Sequence, residues 1–114
     1  MSEKDKLNIL TILDAIEKIT KYTSGYKNAD DFYGNERDFD ASMMNFIIIG
    51  EMVSRLSDKF IEENSQIDWF RIRGFRNIVA HDYFGIDAEE VWQIIKTHLP
   101  NLENDLHAIL KESK

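Results

Sequence analysis

A short stretch of the chain, residues 71–83, collects the side chains best suited to act on a phosphate. It reads Arg71-Ile72-Arg73-Gly74-Phe75-Arg76-Asn77-Ile78-Val79-Ala80-His81-Asp82-Tyr83. An arginine guanidinium stays charged near neutral pH and presents a planar set of donors that matches phosphate oxygens. A histidine can take up and return a proton near neutral pH. Together these residue types predict a site for an anionic ligand with acid–base chemistry.

The distribution of charge indicates a local site rather than a generally basic surface. The 114-residue chain has a formal net charge of -7. Residues 68–85 carry three Arg and two Asp, and so a charge of +1, which leaves -8 for the other 96 residues. A cationic patch on an anionic body indicates a defined anionic ligand.

Composition excludes several classes of protein. The chain has no cysteine, which excludes disulfides, thiol catalysis and cysteine-based metal sites. Hydrophobic residues make up 43% and charged residues 31%, with one proline and five glycines, which predicts a folded, mostly helical single domain over residues 1–114. No apolar run approaches the roughly 20 residues that cross a bilayer, and the first residues lack a signal-peptide profile, so we expect a cytoplasmic protein.

The elements that must position the basic stretch are predicted to be helices. The first is expected from about Lys4 to Thr23, followed by Ser24-Gly25 as a stop. Isoleucines at spacings of three and four mark its buried side: Ile9, Ile12, Ile16 and Ile19. Residues 26–40 are polar and rich in Asp, Asn and Gly, which predicts a mobile connector with no more than one short turn.

The second helix, predicted from about Phe39 to Glu63, has apolar side chains on nearly every side of its first half. They are Met43, Met44, Phe46, Ile47, Ile48 and Ile49. A helix that is apolar all round must be covered on more than one side, and a chain of this length leaves little protein to do so. Self-association is the simplest cover, which predicts a dimer.

Two further helices complete the predicted fold. The third is expected from about Asp68 to Ala80, before Gly85. Asp87-Ala88-Glu89-Glu90 resembles a capping box that opens the last helix, and Pro100 is expected to bend that helix or split it in two. The predicted architecture is an all-α, up-and-down bundle of four to five helices that forms a dimer.

Helical geometry limits how the basic side chains cooperate. Arg76 and Tyr83 are seven residues apart and fall on one face, whereas His81 lies about 140° around a regular helix from Arg76. Two alternatives would bring Arg76 and His81 to one phosphate. Either the helix loosens before His81, or each side chain meets its counterpart across a two-fold axis. The over-apolar second helix favours the second alternative, a composite site at a dimer interface.

These residues carry a family resemblance. Arg76-Asn77-Ile78-Val79-Ala80-His81-Asp82-Tyr83 matches the R-x-x-x-x-H-x-Y pattern of the HEPN superfamily and resembles its HepT-like branch in particular. The flanking sequence is also similar to that branch, at Ile49-Gly50-Glu51, Ile67-Asp68-Trp69, Val91-Trp92 and Leu99-Pro100. The resemblance extends from about Asp5 to Leu110, nearly the whole chain.

The resemblance implies a toxin of a type VII-like toxin–antitoxin pair. By similarity the chain would be a homodimeric endoribonuclease that needs no metal or other cofactor, with Arg76 and His81 as its catalytic pair. Cleavage through the 2′-hydroxyl of the RNA would leave a 2′,3′-cyclic phosphate and a 5′-hydroxyl. The implied antitoxin is a minimal nucleotidyltransferase that transfers AMP to the motif tyrosine, here Tyr83.

Several simpler roles remain open at the same residues. Arg76 and His81 could cap a helix end and pair with a nearby carboxylate. Asn77 could orient the catalytic pair or bond the backbone, and Arg73, with Arg71, could guide RNA or be ordinary surface residues. Glu51 could support the site or make a structural hydrogen bond.

Two histidines outside the stretch give no metal site. His98 and His107 are nine residues apart, which is not the spacing of a helical metal pair, so surface or packing roles are expected.

A second class of function remains beside the ribonuclease. The chain could be a non-catalytic, nucleotide-binding or partner-binding helical subunit of a two-component nucleotidyltransferase. Its overall acidity favours this alternative, since non-specific RNA binding relies on many basic contacts, and the intact motif favours the ribonuclease.

Overall fold

The computed structural model describes residues 1–82 and 85–112, and it describes the side chains of these residues except for residues 80–82. This part of the chain is helical and contains no strand, which confirms the all-α prediction. The helices are α1 (Glu3–Thr23), α2 (Ala29–Tyr33), α3 (Glu36–Ser54), α4 (Asp58–Glu63), α5 (Trp69–Arg73), α6 (Phe75–Asp82), α7 (Ala88–Gln93), a π-helical turn (Ile94–His98) and α8 (Leu99–Glu112). In the described part of the chain, no helix combines the length and the apolar character that spanning a bilayer requires.

Helix α1 follows the prediction closely. Its first turn is capped by the Ser2 side chain, which accepts a hydrogen bond from the Asp5 amide at 3.0 Å. The four predicted isoleucines are almost completely buried. They pack mainly against α3, which makes the largest helix–helix contact of the fold with α1. Burial of each such side chain contributes about 1.5 to 3 kcal/mol before the cost of ordering the chain.

The predicted connector at residues 26–40 is mostly helix. Asn28 caps α2 and Asn35 caps α3, each by accepting from the amide three residues later. The polar residues that resembled a loop therefore begin helices. Phe32 on α2 is fully buried, and its ring centroid lies 5.8 Å from that of Trp92 on α7. Burial of an aromatic side chain fixes this segment, which the sequence pattern alone did not show.

The predicted second helix divides into α3 and α4. The division falls at Ser57, whose hydroxyl accepts from the Phe60 amide at 3.2 Å and caps α4. Asp5 of α1 holds this cap from the other side, because its carboxylate accepts from the Ser57 amide at 2.9 Å and from the Ser57 hydroxyl at 2.6 Å. The long-range pair of Asp5 and Ser57 therefore fixes where α4 begins.

The last two predicted helices are also subdivided. Gly74 separates α5 from α6, although its own backbone remains in the right-handed helical region. Asp87 accepts from the amides of Glu89 and Glu90 and opens α7 as predicted. The π-helical turn follows and ends at His98, two residues before Pro100. Proline supplies no amide to the helical ladder, and the irregular turn lies where a bend or split was expected.

The apolar first half of α3 is covered more completely by its own chain than predicted. Met43, Phe46 and Ile49 are buried, because α1 packs on one side of α3 and α5 and α6 pack on another. Ile47 and Ile48 are half-buried, and Met44 is 58% exposed. Its own chain therefore covers most of this helix. What the described residues leave partly uncovered on α3 is a strip that includes Met44 and Ile48.

The Asp5 carboxylate should contribute to stability in a pH-dependent manner. Burial acts to raise the pKa of Asp5, but the hydrogen bonds from Ser57 outweigh it and hold the pKa below its ordinary value of 3.8. The folded state therefore favours the charged form, and this contribution is complete above the unfolded pKa and is lost as pH falls through the folded one. We expect Asp5→Asn to lower the free energy of unfolding by about 1 to 2 kcal/mol at pH 7.

Urea unfolding at pH 7 and pH 3 checks this prediction, with Asp14→Asn as the matched control on the same helix. Asp14 is 61% exposed at its side chain and pairs with Lys18 at 3.1 Å, an arrangement worth about 0.3 to 0.5 kcal/mol. The difference between the parent and Asp5→Asn should shrink at pH 3. An equal or larger difference at pH 3 would show that the charged form of Asp5 is not the stabilising one.

Candidate functional site

The basic stretch is built from two short helices joined by one residue. Asp68 begins α5 by accepting from the Arg71 amide at 3.0 Å. At the junction, the Gly74 amide donates to the Phe70 carbonyl, and the Gly74 carbonyl accepts from the amides of Asn77 and Ile78. The backbone therefore continues in a helical sense across the junction, and side chains of α5 and α6 keep an approximately helical spacing.

Helix α3 fixes the start of α6 through a close approach at Gly50. A Cβ atom at Gly50 would lie 2.7 Å from Arg76 Cβ and 3.0 Å from the Arg73 carbonyl oxygen. One turn earlier on α3, Phe46 meets Phe75 edge to face with ring centroids 5.5 Å apart. The absence of a side chain at Gly50 and the contact between Phe46 and Phe75 together place Arg76 directly against α3.

Arg76 forms an ion pair with Glu51, the neighbour of Gly50. Its Nη1 lies 3.3 Å from Glu51 Oε1 and 3.2 Å from Oε2. The two side chains are 36% and 39% exposed, so a ligand can reach the pair from solvent. In this contact Nη1 alone donates to Glu51. Glu51, which was expected to make a structural hydrogen bond, therefore orients the predicted catalytic arginine.

The backbone of α6 argues against one of the two alternatives for Arg76 and His81. The helix runs from Phe75 to Asp82 without a break, so it does not loosen before His81. The two positions therefore remain about 140° apart around the helix. The side chain of His81 lies outside the described residues, and so does all of Tyr83. The structure thus retains the geometric reason for a two-chain site.

The predicted supporting residues lie on the outer side of the same two helices. Arg73 and Asn77 are both exposed, as is Phe70, whose side chain is 85% exposed. Spacings of three and four residues align Phe70, Arg73 and Asn77 on one side. Phe70 was not singled out from the sequence, because an apolar residue beside Trp69 suits a core equally well.

Arg71 is directed to a different part of the surface. Its Nη2 lies 2.8 Å from Nε2 of His98, at the end of the π-helical turn. Arginine can only donate hydrogen bonds, so Nε2 of His98 is the acceptor in this contact. Both line a cavity of about 140 Å³ between α5 and α8, floored by Ile67 and Leu102. The structure therefore does not bring Arg71 together with Arg76, and His98 has the packing role that was expected.

The described side chains offer no place for a metal ion. Among them, no group of three or more His, Asp or Glu residues is arranged to hold one. His107, the other histidine of the C-terminal region, is exposed on α8.

The fold and the site define a small all-helical protein in which an arginine beside a helix–helix contact precedes a histidine on the same helix. A model of the family described as "Ribonuclease HepT-like" matches residues 12–109. The chain therefore belongs to the HepT-like family of the HEPN superfamily, which confirms the resemblance of its motif.

Individual relatives agree with this assignment. A Methanocaldococcus jannaschii protein named "Gamma-glutamylcyclotransferase and putative RNase" is 32% identical over 112 residues, which is 98% of this chain and 50% of the relative. The protein named "Probable ribonuclease HepT" of Thermococcus cleftensis is 28% identical over 110 residues, covering 96% of this chain and 97% of the relative. The chain thus spans about half the length of the first relative. No solved structure matches the chain significantly.

Replacement of Gly50 tests whether the close approach positions α6. Gly50→Ala should gain about 1 kcal/mol of helix propensity. The new Cβ meets Arg76 Cβ and the Arg73 carbonyl, both fixed by backbone, and such overpacking costs about 1 to 3 kcal/mol. We expect the clash to outweigh the propensity gain and to lower the free energy of unfolding by about 1 to 2 kcal/mol, as measured by urea unfolding.

Gly25→Ala is the control, because an added Cβ there meets no atom within 4 Å. Its stability should lie within about 0.5 kcal/mol of the parent. If Gly50→Ala were as stable as Gly25→Ala, α3 would not fix the start of α6.

Proposed function

We propose that this protein is an endoribonuclease that cuts RNA without a metal ion, with Arg76 and His81 as its catalytic residues. Family membership supports the ribonuclease class, and the names of the relatives above point the same way. The observation that carries the assignment of residues is the Arg76–Glu51 pair, which holds the motif arginine in place at a partly exposed position that a ligand can reach.

The chemistry uses the RNA as its own nucleophile. The 2′-hydroxyl oxygen attacks the adjacent phosphorus, a new O2′–P bond forms, and the bond from phosphorus to the 5′ oxygen breaks. His81 takes the proton from the 2′-hydroxyl or supplies the proton that the leaving 5′ oxygen needs. Arg76 stabilises the extra negative charge on the phosphate oxygens in the transition state. The products are a 2′,3′-cyclic phosphate and a 5′-hydroxyl.

A homodimer would bring the two catalytic side chains together. The separation of Arg76 and His81 around an unbroken α6 supports a site in which each comes from a different chain. The strip of α3 that its own chain leaves half-covered also supports it, because Met44, Ile48 and Glu51 share one side of that helix. A second copy on this strip would bury Met44 and approach the Arg76–Glu51 pair.

Single substitutions and their mixture test the catalytic assignment. Arg76→Ala and His81→Ala should each lower the rate of RNA cleavage about a hundredfold or more, since one transition-state charge contact is worth roughly 3 kcal/mol. Cleavage by the parent should persist in EDTA. An equimolar mixture of the two variants, after subunit exchange, should recover about a quarter of the parent activity, because half of the dimers are mixed and each has one intact site.

His107→Ala is the control, since that histidine is exposed on α8. Light scattering on each variant should give about twice the chain mass of 13.4 kDa. If both single variants cut RNA like the parent, or if EDTA abolishes cleavage, the catalytic assignment is wrong. A mixture as inactive as its components would place the whole site within one chain.

We further propose that the protein is the toxin of a toxin–antitoxin pair and that AMP transfer to Tyr83 by a minimal nucleotidyltransferase neutralises it. The tyrosine oxygen would attack the α-phosphorus of ATP, release pyrophosphate and lose its proton to solvent. The support is chemical, since a phosphodiester close in sequence to Arg76 adds negative charge that would oppose the phosphate of the RNA. The adenosine would also cover the approach to the site.

Incubation with the cognate nucleotidyltransferase and ATP tests this control. One AMP should be added at Tyr83, as located by mass spectrometry, and RNA cleavage should fall while the circular-dichroism spectrum is unchanged. Tyr83→Phe should cut RNA and escape neutralisation, because it keeps the ring without the acceptor oxygen. AMP on another residue, or undiminished cleavage by the modified protein, would show that Tyr83 is not the switch.

The alternative function remains a non-catalytic, nucleotide-binding or partner-binding helical subunit of a two-component nucleotidyltransferase. The net charge of -7 favours it, because most of the surface repels a polyanion. It would be supported if the purified dimer bound nucleotide or the partner but left RNA intact under every condition of the cleavage assay.

A further inference from the structure

We infer that Phe70 is a stacking residue that holds one unpaired base of the RNA beside the proposed catalytic site. This inference rests on the proposed ribonuclease function and adds a determinant of substrate binding to it. A base that stacks on Phe70 would limit the enzyme to single-stranded RNA, since a base inside a duplex cannot offer its face to a protein side chain.

The exposure of Phe70 is the first observation. Its side chain is 85% exposed, the largest value among the exposed large apolar residues that the structure describes. Its neighbour Trp69 is buried, so the short helix α5 directs one aromatic side chain into the core and the next into solvent. An aromatic side chain this exposed gives up the stabilisation that burial would provide. A stacked base would restore part of it.

The charge around Phe70 identifies the class of ligand. Residues 69–81 contain three Arg and no acidic residue, a charge of +3 in a chain whose other 101 residues carry -10. Arg73 is exposed on the same side as Phe70, whereas Arg71 contacts His98. A basic side chain beside an aromatic one is a common means of binding single-stranded nucleic acid, because arginine can contact the backbone and every base has a face that can stack.

The position of Phe70 links it to the proposed site. Phe70, Arg73 and Asn77 lie on one exposed side of α5 and α6, and the next position in that spacing is His81. Phe70 and Arg76 of one chain lie about 120° apart around the helix, so Phe70 lies on the side of position 81 rather than on that of Arg76. A base on Phe70 would therefore belong to a nucleotide on the position-81 side of the proposed site, with Arg73 beside the connecting backbone.

A second copy of the chain is the competing occupant of this surface. The charge beside Phe70 opposes it, because two copies related by a two-fold axis would bring Arg73 against the same residue of the partner. The strip of α3 at Met44 and Ile48 is apolar, lacks basic residues and suits a second copy better. RNA is therefore the occupant that the charges of this surface fit.

The test measures binding to an unstructured 2′-O-methyl RNA oligonucleotide, which lacks the attacking hydroxyl and cannot be cut by this chemistry. Fluorescence anisotropy at fixed salt gives the dissociation constant of the full-length dimer. Phe70→Ala should weaken binding roughly 5- to 150-fold, the loss expected for one stacked base. Phe70→Tyr, which keeps an aromatic ring, should bind about as tightly as the parent. Phe70→Leu, which keeps an apolar side chain without a ring, should be weakened.

Oligonucleotides that lack one base at successive positions distinguish stacking from a general contact. Removal of one base should weaken binding by the parent, and removal of the same base should have no further effect on Phe70→Ala. Leu7→Ala is the matched control, because Leu7 is an apolar residue on α1 that is 61% exposed. It should bind every oligonucleotide as the parent does.

Three results would overturn the inference. Phe70→Ala or Phe70→Leu could bind as tightly as the parent, or the base deletion could weaken Phe70→Ala as much as the parent. Loss of the dimer in Phe70→Ala, seen by light scattering, would assign the residue to a subunit contact instead. If the parent cuts RNA through Arg76 and His81 while Phe70→Ala binds normally, the stacking role alone fails. If the parent neither binds nor cuts RNA, the proposed function fails and the stacking role fails with it.

Discussion

The close approach of α3 to the junction of α5 and α6 is the constraint on which the arrangement of the site depends. Gly50 permits it because no side chain separates the two backbones, and the edge-to-face contact between Phe46 and Phe75 stabilises it one turn away. The approach brings Glu51 within hydrogen-bond distance of Arg76. An exposed ion pair of this kind contributes little to stability. Its value is geometric, because it holds a flexible arginine side chain in one direction before a ligand arrives.

Helix α3 connects the core of the protein to this site. Its buried residues pack against α1 on one side and against α5 and α6 on another, so the hydrophobic effect fixes the helix that carries Gly50 and Glu51. The half-covered strip at Met44 and Ile48 shares the side of α3 that carries Glu51. Core, ion pair and proposed dimer surface therefore occupy successive faces of one helix, and a shift of α3 would change all three.

The uneven charge of the molecule reconciles an acidic chain with an anionic substrate. The three arginines of residues 69–81 have different surroundings. Arg76 contacts Glu51, Arg71 contacts His98, and Arg73 is exposed. This segment is thus less acidic than the rest of the chain, whose net negative charge disfavours non-specific binding of a polyanion. The affinity of such a protein for RNA must come from a few well-placed contacts. A single stacking residue such as Phe70 can therefore contribute a large part of it in the proposed binding mode.

The sequence by itself determined the helical class, the buried stripe of α1, the capping role of Asp87 and the family to which the motif belongs. These depend on local spacing and side-chain chemistry, which the chain carries without its neighbours. The tertiary structure alone decided that residues 26–40 form helices, that Ser57 divides the predicted second helix, and that Glu51 pairs with Arg76. It also decided that Trp69 is buried while Phe70 is exposed. Each depends on contacts between residues far apart in the chain, such as Asp5 with Ser57 or Phe32 with Trp92, and local periodicity carries no information about those contacts.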